Sequence, residues 1–200
     1  MAGRGFRAAQ PGRDISPESK PPEGAVLLLI DLQQAIDHPD WGTRNNPEAE
    51  KRAARLLAYW RAHQWPVIHV RHDSRDGRSH YRPGQPGNAF KPETAPLPGE
   101  AVIVKHTNSA FIGTDLETRL REAGHAALVI AGVITNNSVE STVRMAGNLG
   151  FATWLAEDAC FTFARKDWHG TWRTAEDVHA MSLANLDGEY CTVTTTDALF

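Results

Sequence analysis

The chain has 200 residues, of which 41% are hydrophobic and 22% are charged, and its formal net charge at pH 7 is −3. This length and composition fit one globular domain with a sizeable core. The slightly acidic balance offers no basic surface for nucleic acid, and no apolar run approaches the roughly 20 residues that a membrane helix needs. We therefore expect neither nucleic acid nor a membrane as a partner.

The N-terminal segment and the two cysteines bear on where the protein works. Residues 1–24 are rich in proline and glycine and lack the apolar run of a secretory signal, so they predict a mobile tail ahead of a domain at 25–200. Cys160 and Cys191 are too few for a disulfide framework. Reduced thiols and no signal predict a cytoplasmic protein.

From residue 25 onward, short apolar runs alternate with amphipathic segments. The runs predict strands at 25–31, 66–71, 101–105, 127–132, 151–157 and 189–194, and helical spacing predicts helices at 47–64, 114–123, 136–149 and 175–186. This alternation favours a parallel sheet covered on both faces, with right-handed crossovers. We predict a three-layer α/β/α sandwich whose six parallel strands have the order 3-2-1-4-5-6.

Three reactive side chains follow or end predicted strands. Asp31 ends the first strand, Lys105 ends the third, and Ser138 follows the fourth across a turn that begins at Gly132. The turn also opens a helix, whose free N–H groups and dipole favour negative charge near Ser138. Because open parallel sheets bind ligands at the carboxyl ends of their strands, we predict that the three groups converge within about 5 Å.

These residues belong to three motifs that are specific only when taken together. The motifs are Asp-Leu-Gln at 31–33, Val-Lys-x-x-x-Ser-Ala-Phe at 104–111 and Gly-Val-x-Thr-x-x-Ser-Val-x-x-Thr at 132–142. The set resembles the isochorismatase-like cysteine hydrolases over roughly residues 25–198. One departure matters, because the position of the family's nucleophilic cysteine is occupied by Ser138.

The resemblance implies a role for each of these residues. Asp31 would be the general base, Lys105 would position and stabilise, and Ser138 would be the nucleophile or the remnant of one. The backbone N–H groups of Ile134 and Ser138 would form the oxyanion hole. The family also carries a cis peptide in this turn, which would fall here between Val133 and Ile134.

Three functions stay open at this point. The leading one is hydrolysis of a small amide or related carbon–nitrogen bond. Serine is a weaker nucleophile than a thiolate and needs a positioned base, which leaves room for a vinyl-ether hydrolase that uses Asp31 as an acid. The third is a catalytically silent homologue that binds a metabolite or a partner protein. The direction of the Asp31 pKa shift bears on the choice between base and acid.

The remaining expectations concern ligands and assembly. No Gly-x-Gly-x-x-Gly follows the first strand, so we expect no redox cofactor. His69, His72 and His80, with Asp73 and Asp76, do not reproduce the metal-binding spacing of related nicotinamidases, so we expect no metal. The resemblance implies a homodimer or homotetramer whose neighbouring subunit approaches the pocket, and a small-molecule substrate. We expect the pocket for that substrate to be lined by Ile36, Phe111, Asn137 and Trp168.

Overall fold

The computed structural model describes residues 20–200. Its eight strands are β1 (Val26–Ile30), β2 (Val67–His72), β3 (Ala101–Lys105), β4 (Ala127–Val133), β5 (Ala152–Phe161), β6 (Arg165–Lys166), β7 (Trp172–Arg173) and β8 (Thr192–Thr194). Six of them form one sheet in the order β3-β2-β1-β4-β5-β8, and all of its neighbouring strands are parallel. The predicted order is confirmed. The sixth strand of the sheet is the eighth in the chain because the short hairpin β6–β7 precedes it.

Four helices cover the sheet: α1 (Ala49–Ala62), α2 (Leu116–Glu122), α3 (Glu140–Asn148) and α4 (Ala175–Leu186). Strand β1 shows how the layers form, because its side chains alternate between two fully buried faces. Leu27 and Leu29 join the core under α1, which includes Trp60. Leu28 and Ile30 join the second core, to which α2, α3 and the end of α4 contribute. The three-layer sandwich is therefore confirmed.

The largest differences from the predicted element boundaries lie at three places. Strand β5 continues to Phe161, whereas the last strand is shortened to Thr192–Thr194 because residues 188–190 form a turn with Gly188 at φ +73°. Helix α3 begins only at Glu140, since Thr135–Val139 form a π-helical turn. Residues 1–19 of the predicted tail lie outside the described residues. Residues 22–25 form a turn in which Ala25 N donates to Pro22 O.

The strand order brings three strand ends that carry candidate site residues to one edge of the sheet. Strand β1 pairs with β4 on one side and with β2 on the other, and β2 pairs with β3. Among residues 20–200, no helix is long and apolar enough to cross a membrane. The carboxyl edge of the sheet is therefore where we locate the candidate site.

Candidate active site

Asp31, Lys105 and Ser138 meet at this edge as the strand pattern predicts. The Lys105 Nζ atom lies 2.6 Å from Asp31 Oδ2 and 3.1 Å from Ser138 Oγ. All three side chains are buried, and Lys105 has no exposed surface. A carboxylate, an ammonium and a hydroxyl thus form one contiguous polar group inside an apolar sandwich.

The backbone around Gly132 explains how β4 comes so close to β1. Gly132 pairs with Ile30 and has a φ of +130°, and a Cβ atom there would lie 2.2 Å from the Ile30 carbonyl oxygen. Only glycine fits that approach. Asp31 follows Ile30 with a φ of +52°, a left-handed conformation that Asp tolerates better than most residues. The ends of β1 and β4 therefore lie side by side where Asp31 and the Ser138 turn emerge.

Lys105 is held by more than its ion pair. Its ammonium also donates to the Thr107 carbonyl oxygen at 3.1 Å, so three hydrogen-bond acceptors surround its three protons. The Nδ1 atom of His72, at the end of β2, lies 3.4 Å from Nζ. Burial and the nearby Lys105 charge lower the pKa of His72 to about 4, so this imidazole is neutral near pH 7.

Asp31 is the group whose protonation the site perturbs. Burial raises the pKa of its carboxyl above the usual value, although the Lys105 ammonium and a hydrogen bond with Ser138 act in the opposite direction. The Oδ1 atom of Asp31 has no hydrogen-bond partner within residues 20–200, whereas Oδ2 is bound by Lys105. The site thus holds a carboxyl group with raised proton affinity and one oxygen free to exchange a proton.

The turn that carries Ser138 is fixed by side chains from other elements. The peptide between Val133 and Ile134 is cis, as the resemblance implies. Thr135 Oγ1 lies 2.9 Å from His179 Nδ1 on α4, and Thr162 Oγ1 donates to Asn136 Oδ1 at 2.5 Å. These two hydrogen bonds were not predicted, because residues 26 or more positions apart share no local sequence pattern.

A small cavity of about 230 Å³ opens beside this turn. Its walls combine two aromatic rings, two amides, a hydroxyl and a guanidinium, and they are formed by Trp41, Ile134, Asn136, Asn137, Thr162, Phe163, Ala164 and Arg165. Of the four residues expected to line the substrate, Asn137 lies in this wall. The structure also adds Trp41 and Arg165, which are not among the residues expected to line the substrate.

The other three expected lining residues lie elsewhere. Ile36 is buried in the core under α1, and Phe111 stacks on Phe151 in the second core. Trp168 is 95% exposed in the loop between β6 and β7 and borders a separate cavity of about 870 Å³. A contact of these three residues with substrate stays a prediction.

The histidines considered for metal binding are dispersed. His69 lies 2.9 Å from Glu100 inside the sheet, and burial lowers the pKa of its imidazole. His72 adjoins the Lys105 ammonium, which disfavours a second cation there. His80 instead lies beside Asp40, with its Nε2 atom 3.2 Å from Asp40 Oδ2.

Comparison with known proteins agrees with this geometry. The family profile of the Isochorismatase domain matches residues 25–198. The chain is 61% identical to a crystal structure of a putative hydrolase of the isochorismatase family from Chromobacterium violaceum, with a TM-score of 0.86 and 96% of each chain covered.

Two curated relatives extend the comparison. The isochorismatase family protein YrdC of Bacillus subtilis is 40% identical over 177 residues, which are 88% of this chain and 95% of that protein. Ureidoacrylate amidohydrolase RutB of Variovorax paradoxus is 40% identical over a shorter stretch of 67 residues, which is 34% of this chain and 27% of that protein. With its fold, its site geometry and these matches, the chain belongs to the isochorismatase family of hydrolases.

Proposed function

We propose that the protein hydrolyses a small amide or a related carbon–nitrogen bond, with Ser138 as nucleophile. The observation that carries the proposal is the position of Lys105, 2.6 Å from the Asp31 carboxylate and 3.1 Å from the Ser138 hydroxyl. A hydroxyl needs a base throughout its attack, and a buried carboxylate of raised proton affinity is suited to be one. The relative named an amidohydrolase supports the bond type.

The proposed reaction has two halves, formation of an acyl ester on Ser138 and hydrolysis of that ester, and the same groups act in both. The Asp31 carboxylate, which is hydrogen-bonded with Ser138, takes the hydroxyl proton as Ser138 Oγ attacks the amide carbon. The N–H groups of Ile134 and Ser138 stabilise the resulting oxyanion, and Lys105 stabilises the attacking oxygen. When the carbon–nitrogen bond breaks, the leaving amine takes the proton from Asp31 and an acyl ester stays on Ser138. Water then gives a proton to Asp31 and cleaves the ester, and the serine recovers its proton.

The cavity beside the turn supports a small substrate. Its volume of about 230 Å³ and its walls from Trp41 and Phe163 suit a compact, flat group. Asn137 would orient a polar group of the substrate there.

A cytoplasmic location is part of the proposal and is supported by two free, buried cysteines.

One observation also favours the vinyl-ether alternative. The raised pKa of Asp31 helps a carboxyl group to hold a proton and to donate it to a vinyl ether, after which water completes the cleavage. In that reaction Ser138 is dispensable. Amide hydrolysis therefore requires the Ser138 hydroxyl, whereas vinyl-ether cleavage does not.

The test measures ammonia release from a panel of small aliphatic and aromatic primary amides. We expect Ser138→Ala to abolish turnover of the best substrate and the parent protein to show an acyl adduct on Ser138 by intact mass. Ser138→Cys should raise turnover or give a protein trapped by alkylating reagents, because helix-end amides and Lys105 favour a thiolate more easily than an alkoxide.

Other outcomes identify the alternatives. Full activity in Ser138→Ala together with loss in Asp31→Asn would replace the serine mechanism by acid-catalysed vinyl-ether cleavage. Absence of turnover on every amide, by parent and by Ser138→Cys alike, would overturn amide hydrolysis and favour a silent binding homologue.

We also propose that the protein forms a homodimer or homotetramer. Trp168, Trp172 and Met181 are large apolar side chains that stay more than half exposed, and Trp168 and Met181 line the 870 Å³ cavity. Such exposed apolar side chains suit burial against a second copy. Light scattering at micromolar concentration should give a multiple of 22.0 kDa. A monomer mass would contradict this proposal.

A further inference from the structure

Two histidines and an aspartate from separate loops meet at the surface, apart from the candidate active site. His38 and Asp40 lie between β1 and α1, and His80 lies between β2 and β3. Asp40 Oδ2 is 3.2 Å from His38 Nδ1 and 3.2 Å from His80 Nε2, and one ligand atom of each residue lies within 4.8 Å of the others. We propose that these three residues bind one divalent transition-metal ion of the Zn²⁺ class.

The donor atoms and their spacing fit such an ion. A tetrahedral Zn²⁺ with bonds of about 2.0–2.1 Å separates its ligand atoms by about 3.3 Å, close to the two contacts of Asp40. Two imidazole nitrogens with one carboxylate oxygen suit Zn²⁺, Co²⁺ or Ni²⁺, whereas Mg²⁺ and Ca²⁺ prefer oxygen ligands. The carboxylate is 74% exposed, which leaves the fourth position to water.

One contact of the cluster is not explained by a hydrogen bond. The Asp40 backbone N–H donates to His38 Nδ1 at 3.3 Å, so this nitrogen is an acceptor and its 3.2 Å contact with Asp40 Oδ2 joins two acceptors. A bound ion would take the place of the backbone N–H on the His38 lone pair. The His38 and His80 rings stack with their centroids 3.5 Å apart, and rotation of the rings about their Cβ–Cγ bonds would direct both lone pairs at one ion. An imidazole binds a metal ion through its unprotonated nitrogen.

The backbone holds the two loops together without help from an ion. Gly87 packs so tightly that a Cβ atom there would lie 2.6 Å from the His80 carbonyl oxygen and 3.0 Å from Ala35 Cα. The Trp41 indole N–H donates to the Ala35 carbonyl oxygen at 2.9 Å and fixes the turn that carries Asp40. The backbone therefore needs little rearrangement for binding, and the adjustment falls on the two imidazole rings.

The site also has a structural connection to the proposed chemistry. Trp41, next to Asp40, lines the 230 Å³ cavity, and Tyr81, next to His80, donates from its hydroxyl to the Asp31 carbonyl oxygen at 3.3 Å. A bound ion would join the loop of Trp41 to the loop of Tyr81. Metal binding itself is independent of turnover, so its test does not depend on the proposed reaction.

The test titrates the metal-free, tag-free full chain with ZnCl₂ by calorimetry and with CoCl₂ by visible absorption. We expect one equivalent of each metal to bind, with micromolar affinity for Zn²⁺ and the absorption bands of Co²⁺ with nitrogen ligands. His38→Asn and His80→Asn should each weaken binding by about tenfold or more. His169→Asn, at an exposed histidine in the β6–β7 turn, is the matched control and should leave binding unchanged. Cys160 and Cys191 are buried and offer no competing thiolate.

Several results would overturn the assignment. These are no saturable binding of Zn²⁺, equal affinity in the parent and in both ligand variants, an equal loss in His169→Asn, or Ca²⁺ bound as tightly as Zn²⁺. Thermal unfolding in the absence of metal should be the same for all four proteins. This control separates loss of a ligand from loss of the fold.

Discussion

Two buried carboxylates beside lysine ammonium groups behave in opposite ways. In the candidate site, Lys105 lies 2.6 Å from Asp31, and burial raises the pKa of that carboxyl. Under the loops that follow β1 and β2, Lys91 lies 2.9 Å from Glu50. There burial also acts to raise the pKa, but hydrogen bonds from Arg44 and Lys91 lower the pKa of Glu50 to about 2.

The difference lies in how many donors each carboxylate receives. Arg44 donates to both oxygens of Glu50 at 2.7 and 2.6 Å, and Lys91 adds a third hydrogen bond. Asp31 receives its one direct ammonium contact on Oδ2, and Oδ1 is left without a partner in the described part of the chain. A carboxylate with all its acceptors used is a structural anion. One with a free oxygen can exchange a proton.

The largest expected effect comes from removing the proton-exchanging carboxylate. Asp31→Asn keeps the shape of the side chain but cannot accept the serine proton, so kcat should fall by about 10³-fold. Steady-state turnover on the best amide of the panel measures this. Asp37→Asn, which changes a half-exposed partner of Lys91, should leave kcat within about twofold. Equal activity of Asp31→Asn and the parent would contradict the role of Asp31 as a proton acceptor.

The convergence of Asp31 with Lys105 and Ser138 could be predicted because parallel strands end at a common edge. The network around Glu50 could not, since Lys91 lies in a loop without periodicity, 41 residues from Glu50 at the start of α1. The same holds for His38 and His80. The hairpin β6–β7 was missed for a different reason, because strands of two residues carry no alternation. Sequence patterns thus predict what regular elements position, and miss contacts between loops.

Because Glu50 is a buried anion in the folded protein, the free energy of unfolding should fall in acid. Glu50 has a folded pKa of about 2 against a usual value of 4.5, so its stabilisation is complete above pH 4.5 and is lost as the pH falls through 2. The shift corresponds to about 3 kcal/mol of unfolding free energy. Urea unfolding at pH 7 and pH 3 should show a smaller loss on acidification in Glu50→Gln than in the parent. An unchanged loss would mean that Glu50 does not carry this effect.

At pH 7 the same variant should separate stability from catalysis. Glu50→Gln should lower the free energy of unfolding by about 2 kcal/mol, because a neutral amide replaces the carboxylate that accepts hydrogen bonds from two cations. Lys91 keeps its ion pair with Asp37 in this variant. Its kcat should stay within about twofold of the parent, because Glu50 does not contact Asp31, Lys105 or Ser138. Urea unfolding and steady-state turnover on one preparation test both statements. A loss of kcat at unchanged stability would reverse the assignment of the two carboxylates.

The smallest effect on stability is expected for an ion pair of the same length that is exposed to solvent. Lys51 lies 2.6 Å from Glu48, as close as Lys105 lies to Asp31, but both side chains are more than half exposed. Solvent screens that pair and side-chain entropy opposes it, so Glu48→Gln should change the free energy of unfolding by less than about 0.5 kcal/mol. Urea unfolding beside Glu50→Gln measures the contrast. A change as large as that of Glu50→Gln would show that distance, and not burial and donor number, sets the strength of these contacts.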